Sequence, residues 1–148
     1  MKCVVSANGE ILGYFLDAQV DTGTVSQIAQ LFDLVGATEI VDITDERHCE
    51  IFDAVGTHGG AIAYWDGTAI ADRPTFAAQV ANPIAANGID THTTTALPAG
   101  TSVSVDGVDA GPLDPSGIFT LTAVTPGQFV IKLSLWPYID LIYTVEAT

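Results

Sequence analysis

The sequence predicts a small α+β module followed by an all-β sandwich, and three observations carry that prediction. Apolar residues at helical spacing occur only before residue 60, and turn-forming Gly, Pro, Asn and Asp recur at short, regular intervals after residue 75. Between them, Tyr64-Trp65-Asp66-Gly67-Thr68-Ala69-Ile70-Ala71-Asp72-Arg73-Pro74 separates the two regimes. Residues 1–74 are therefore expected to form the α+β module, in the order β-β-α-β-α-β-β, and residues 75–148 the sandwich.

Residues 2–7 and 10–16 are rich in strand formers and flank Asn8-Gly9, a hairpin dipeptide. A helix is expected from Thr24-Val25-Ser26-Gln27, where a Thr cap and a Gln three residues on satisfy orphan amides reciprocally. Val25, Ile28, Ala29, Phe32 and Val35 make its apolar stripe, Leu31 and Leu34 widen it, and Gly36 is the expected left-handed stop. Residues 38–43 read as a strand. Thr44-Asp45-Glu46 then caps a second, short helix with two acids in its first turn, and Cys49, Phe52 and Val55 step along one face to Gly56. Thr57-His58-Gly59-Gly60 links it to a hairpin around Asp66-Gly67, read as a two-residue primed turn with positive φ at both central residues. Arg73-Pro74 makes an extended exit, because Pro disfavours helical geometry in the residue before it.

In the second half the strand candidates are 76–84, 91–97, 101–105, 118–123, 128–135 and 141–147. The turns between them are Asn87-Gly88, Pro98-Ala99-Gly100, Asp106-Gly107, Gly111-Pro112, Pro115-Ser116-Gly117 and Pro126-Gly127. Val103 and Val105 alternate with Ser102 and Ser104, and Phe129, Ile131, Leu133 and Leu135 alternate with Val130, Lys132 and Ser134. That is the pattern of strands with one buried and one solvated face.

Eighteen acidic residues against four basic ones leave a net charge of −14. Such a chain repels phosphate backbones, so nucleic acid is not an expected partner, and the scattered acids read as a solvated surface. Apolar runs fall well short of the ~20 residues that cross a bilayer, and Met1 to Gly9 lacks the apolar core of a signal peptide, so synthesis in the cytoplasm without membrane insertion is expected. Cys3 in a strand and Cys49 in a helix are expected as buried reduced thiols rather than a disulfide.

In residues 1–75, the run Asp42-Ile43-Thr44-Asp45-Glu46-Arg47-His48, a short helix, a Gly-rich link, then Ile62-Ala63-Tyr64-Trp65-Asp66-Gly67 and Asp72-Arg73-Pro74 resembles the N-terminal modules of small tailed-bacteriophage proteins encoded beside tail fibres. The second half, through Leu97-Pro98-Ala99-Gly100-Thr101 and Pro126-Gly127-Gln128-Phe129, is similar to the immunoglobulin-like modules that tailed phages append to tail, capsid and fibre proteins, without the Cys-Trp-Cys pattern of true immunoglobulin domains. The resemblance implies a structural virion component, made in the host cytoplasm, with an anchoring module and a projecting immunoglobulin-like sandwich for host or partner contact. It also implies other virion proteins as partners, a homo-oligomer, and a host surface receptor or glycan as target. A capsid decoration or head-spike protein, a tail-fibre assembly chaperone and a carbohydrate-binding module are the alternatives.

No motif points to catalysis, a cofactor or a metal. His48, Cys49 and His58 with Asp45 or Glu46 can be gathered into a ligand set, but adjacent His48 and Cys49 point to different helix faces. Cys49 lies among acids, the wrong setting for a reactive thiolate. Asp106, Asp109 and Asp114 lack the order of a calcium loop and read as turn residues. Neither Asp42 with Asp45 nor Asp140 with Glu146 implies a cleft for acid–base work, and Gly59-Gly60 does not continue into a phosphate loop. The candidate contact surface is aromatic: Trp65 before its Asp-Gly turn, and Trp136-Pro137-Tyr138 between two strands.

Overall fold

β1 (Lys2–Ser6) is the strand on which the first part of the chain is assembled. The computed structural model describes residues 2–15, 25–43 and 62–148, and within them the protein is largely β, with eleven strands and one helix. The chain divides into two compact units, Met1–Arg73 and Pro74–Thr148.

In the first unit β1 lies between β2 (Ile11–Phe15) and β3 (Ala37–Asp42), antiparallel to both, in the order β2-β1-β3. Cys3, Val4 and Val5 are all fully buried. Successive strand residues point to opposite faces, so three consecutive buried positions require cover on both sides of the sheet. Helix α1 (Val25–Phe32) supplies one cover: Ile28 and Val4 form a cluster with Leu34, Ala37 and Ile40. The hairpin of β4 (Ala63–Trp65) and β5 (Ile70–Asp72) supplies the other, where Cys3, Val5, Ile11, Val41, Ile43 and Ala63 pack with Tyr14, Trp65 and Ile70. Burying such a side chain is worth about 1.5–3 kcal/mol, which is why a sheet of only three strands holds.

Two expectations in this unit are corrected. The helix stops at Asp33, not Gly36: Asp33 takes the left-handed φ of 54°, and the Leu34 amide donates to the Ala29 carbonyl at 2.9 Å, the six-to-one bond of a Schellman cap. Val35 consequently leaves the apolar stripe and is 86% exposed. The Asp66-Gly67 turn is not a two-residue primed turn. Trp65 pairs with Ile70, leaving four residues in the loop, and only Gly67 has positive φ. The Asp66 carboxylate closes it by accepting the Thr68 and Ala69 amides at 2.7 and 2.8 Å. The Thr24 cap, the whole second helix, and His48, Cys49 and His58 lie outside the described residues.

In the second unit, β6 (Thr91–Thr93), β7 (Ser102–Val105), β8 (Val108–Pro112), β9 (Thr120–Thr122), β10 (Gly127–Ser134) and β11 (Leu141–Ala147) form two antiparallel sheets, β11-β10-β7-β8 and β6-β9. Leu97, Val103, Ala123, Ile131, Leu133, Val145 and Ala147, with Phe76 and Ile84, are their common core. β10 shows the expected alternation, Ile131 and Leu133 buried and Val130 and Lys132 exposed. Backbone bonds from Gly88 to Ala123, Thr94 to Phe119 and Leu97 to Gly117 carry the β6–β9 pairing well past the strand ends. The primed turn predicted at residue 66 is found instead at Asp106-Gly107, where φ is 50° and 79° and Val105 pairs with Val108.

Two readings of this half are also corrected. Residues 76–84 are not a strand: Thr75 and Ile84 make single parallel bridges to Ile139 and Ala147, and the intervening segment has no ladder. Gly111-Pro112 is not a turn but the end of β8, following a bulge opposite Val103 and Ser104. An edge strand tolerates that Pro because its missing donor faces no partner strand.

Candidate functional site

Each aromatic residue singled out in the sequence is half-buried. Trp136-Pro137-Tyr138 forms the loop between β10 and β11. The Trp136–Pro137 peptide is cis, and the Tyr138 amide donates to the Leu135 carbonyl at 2.6 Å across the turn. Tyr138 lies against the core of the second unit with its ring stacked on Phe76, centroids 4.9 Å apart and planes inclined by 27°. Trp65 packs on the core of the first unit. Of the four candidates, three share a loop of the second unit, and Trp65 belongs to the first.

Around Trp65 the first unit has a cleft of about 360 Å³, lined by the β1–β2 turn, the start of β3 and the β4–β5 turn. Its shape follows from one joint. The Trp65 amide donates to the Gly9 carbonyl at 2.9 Å, and a Cβ on Gly9 would lie 2.0 Å from the Trp65 carbonyl oxygen, so only glycine lets the two turns meet. Gly9 also has the positive φ, 84°, that other residues resist. The polar groups on the rim are held by the turns that carry them. The Ser6 hydroxyl donates to the Asn8 carboxamide oxygen and accepts the Glu10 amide at 3.1 Å. Hydrogen bonds from Ala69 and Thr68 hold the Asp66 carboxyl below its ordinary pKa. Thr38 and Glu39 complete the rim from β3.

The second unit holds a polar pair that inspection of motifs missed. His92, on β6, is buried, and its Nε2 lies 3.1 Å from the Tyr143 hydroxyl on β11, so the contact runs from one sheet to the other. Burial lowers the imidazole pKa and pushes the phenol up to about 12. Strict alternation in Thr91-His92-Thr93 is the signal that turns this histidine inward. Three aspartates of the same unit are engaged by backbone: Asp106 accepts the Val130 amide, Asp109 the Gly111 amide and Asp114 the Ser116 amide. Cys3 is a free thiol whose pKa is raised to about 12, by burial first and then by the nearby Asp42 charge.

Among the described residues no three His, Cys, Asp or Glu side chains converge as a metal site, and no helix is long and apolar enough to cross a membrane. No protein-family model, curated protein or solved structure matches this chain.

Proposed function

We propose that this protein is a non-enzymatic structural component of a tailed-phage particle, at the tail fibre or baseplate, in which the first unit anchors and the second makes host or partner contact. The observation that carries the reading is the break at Arg73-Pro74 between two units of different build, together with the ordered resemblance of residues 1–75. Among the described residues of the first unit, apolar and aromatic side chains cover both faces of a small sheet. The second leaves one face of its larger sheet to solvent and carries an aromatic loop at one end of the β10–β11 hairpin.

The immunoglobulin-like reading of the second unit is supported by strand order. Such folds set a C′-C-F-G sheet against one containing paired B and E strands. Here β8-β7-β10-β11 corresponds to the first and β6-β9 to the second. In that correspondence Trp136-Pro137-Tyr138 is the F–G loop, a position that variable domains use for recognition. The analogy is one of architecture, and it makes Trp136 the residue to change when contact is assayed. Virion parts are repeated by symmetry, so self-association belongs to the proposal.

Mass spectrometry of purified particles, with the copy number of this chain taken relative to the major capsid protein, tests the reading. A few copies per particle are expected. Hundreds would move the protein to the head as a decoration or spike, and absence would overturn the structural reading in favour of an assembly chaperone.

A further inference from the structure

We propose that the cleft between the β1–β2 and β4–β5 turns of the first unit binds a neutral saccharide, one sugar ring lying beside Trp65 with its hydroxyls on Glu39, Asp66, Asn8, Ser6 and Thr38. The cleft belongs to the first unit, the Trp136-Pro137-Tyr138 loop to the second, and the proposal does not depend on where in a particle the protein is placed.

The size and lining narrow the ligand. At about 360 Å³ the cleft is at the small end of ligand sites, which suits one small ring rather than a peptide or a cofactor. No Lys, Arg or His is among its lining residues, so phosphate, sulfate and carboxylate ligands have no counter-charge there. His and Cys are absent from the lining as well, which leaves no ligand for a soft metal. What the cleft does offer is a mostly polar lining of hydroxyl, carboxamide and carboxylate groups, with Trp65 among its residues. A pyranose presents the complement of such a lining: several hydroxyls that donate to carboxylates and exchange hydrogen bonds with amides and hydroxyls, on a ring small enough for the cleft.

The site is also organised in advance. The joint between Gly9 and Trp65 sets the distance between the two turns. Asp66 is oriented by two backbone amides that bind its Oδ1 and favour its ionised form. Asn8 is oriented by Ser6. Groups already held in place lose little freedom on binding, which is where weak sugar ligands gain most. Glu39 is an exposed member of the rim, on a strand whose backbone is paired to β1.

The test is a titration of the full chain carrying Trp136→Phe, so that Trp65 is the emitting indole, with D-glucose, D-galactose, N-acetyl-D-glucosamine and L-rhamnose up to about 50 mM. At least one sugar is expected to change Trp65 emission saturably. Glu39→Ala, an exposed change, is expected to weaken that binding about tenfold, the effect of one hydrogen bond to a charged group, with the unfolding midpoint unmoved. Asn8→Ala serves as a second variant with the same expected direction. The proposal is overturned by the absence of a saturable response to all four sugars, by affinity that is unchanged in both variants, or by a response to tetramethylammonium chloride in place of the sugars, which would make the cleft a cation site. A copy-number result from particles bears on none of these outcomes.

Discussion

β1 and β10 are both central strands, yet they are stabilised in opposite ways. In β1 every residue from Cys3 to Val5 is buried, because a helix covers one face of its sheet and a hairpin the other. In β10 only alternate residues are buried, since Ile131 and Leu133 face a second sheet while Val130 and Lys132 face water. A three-stranded sheet cannot build a core from one face alone, so the first unit recruits both. The four-stranded sheet of the second unit has length enough to leave one face available for contact. Apolar patterning in the two strands thus records how many layers cover each sheet rather than how strongly each is paired.

The comparison is broken most directly by substitution within the two central strands, read by urea denaturation with Trp65 emission for the first unit and Trp136 emission for the second. Leu133→Ala is expected to cost about 2–5 kcal/mol, the cost of a cavity in a closed core. Val4→Thr and Val5→Thr are each expected to cost about 1–3 kcal/mol, although they point to opposite faces, because both hydroxyls would be buried without a designed partner. Val130→Thr is expected to stay within about 0.5 kcal/mol. Equal tolerance at Val4 and Val130 would refute the two-layer account of the first unit.

Gly9→Ala sharpens it at the next level down. The added Cβ meets the Trp65 carbonyl and takes a left-handed φ, so a loss of about 1–3 kcal/mol is expected in the first unit and none in the second. Unfolding curves that shift together for both tryptophans would show instead that the two units unfold as one.

pH gives the smallest contrast, read through one buried group in each unit. Burial keeps the Cys3 thiol protonated to about 12, against an ordinary value of 9.0, so its contribution is complete below the ordinary value and is lost as pH rises towards 12. Burial lowers the His92 pKa, so the unfolded chain takes up that proton first. Stability of the second unit is therefore full above about 6.5 and declines as pH falls below that value and through the folded pKa. Cys3→Ala should flatten the alkaline slope seen by Trp65, and His92→Gln the acid slope seen by Trp136. An acid slope that survives His92→Gln would assign it to another group.

How much of this was legible depended on distance along the chain. Hairpins at Asn8-Gly9 and Asp106-Gly107, the span of β11 and the alternation of β10 were readable, because turn chemistry and side-chain period are local properties. Asp33 as the helix stop was not, since Gly36 three residues later is the better left-handed residue and only the seating of Leu34 on Val4 and Ile28 favours the earlier exit. Residues 76–84 had the composition of a strand, and pairing was decided by which edges β11 and Ile139 left open to them. The cleft is the clearest case. Both of its turns were visible as Asn-Gly and Asp-Gly, but their meeting across more than fifty residues was not.

By itself the sequence determined the acidic charge and the positions of most turns, because each depends on residue type over a few neighbours. Only the tertiary structure decided that β1 is covered on both faces, that His92 meets Tyr143 between two sheets, and that Trp65 sits beside Gly9 at the edge of a cleft. Those are pairings between remote segments, and their energy comes from excluding water between surfaces that no local window contains.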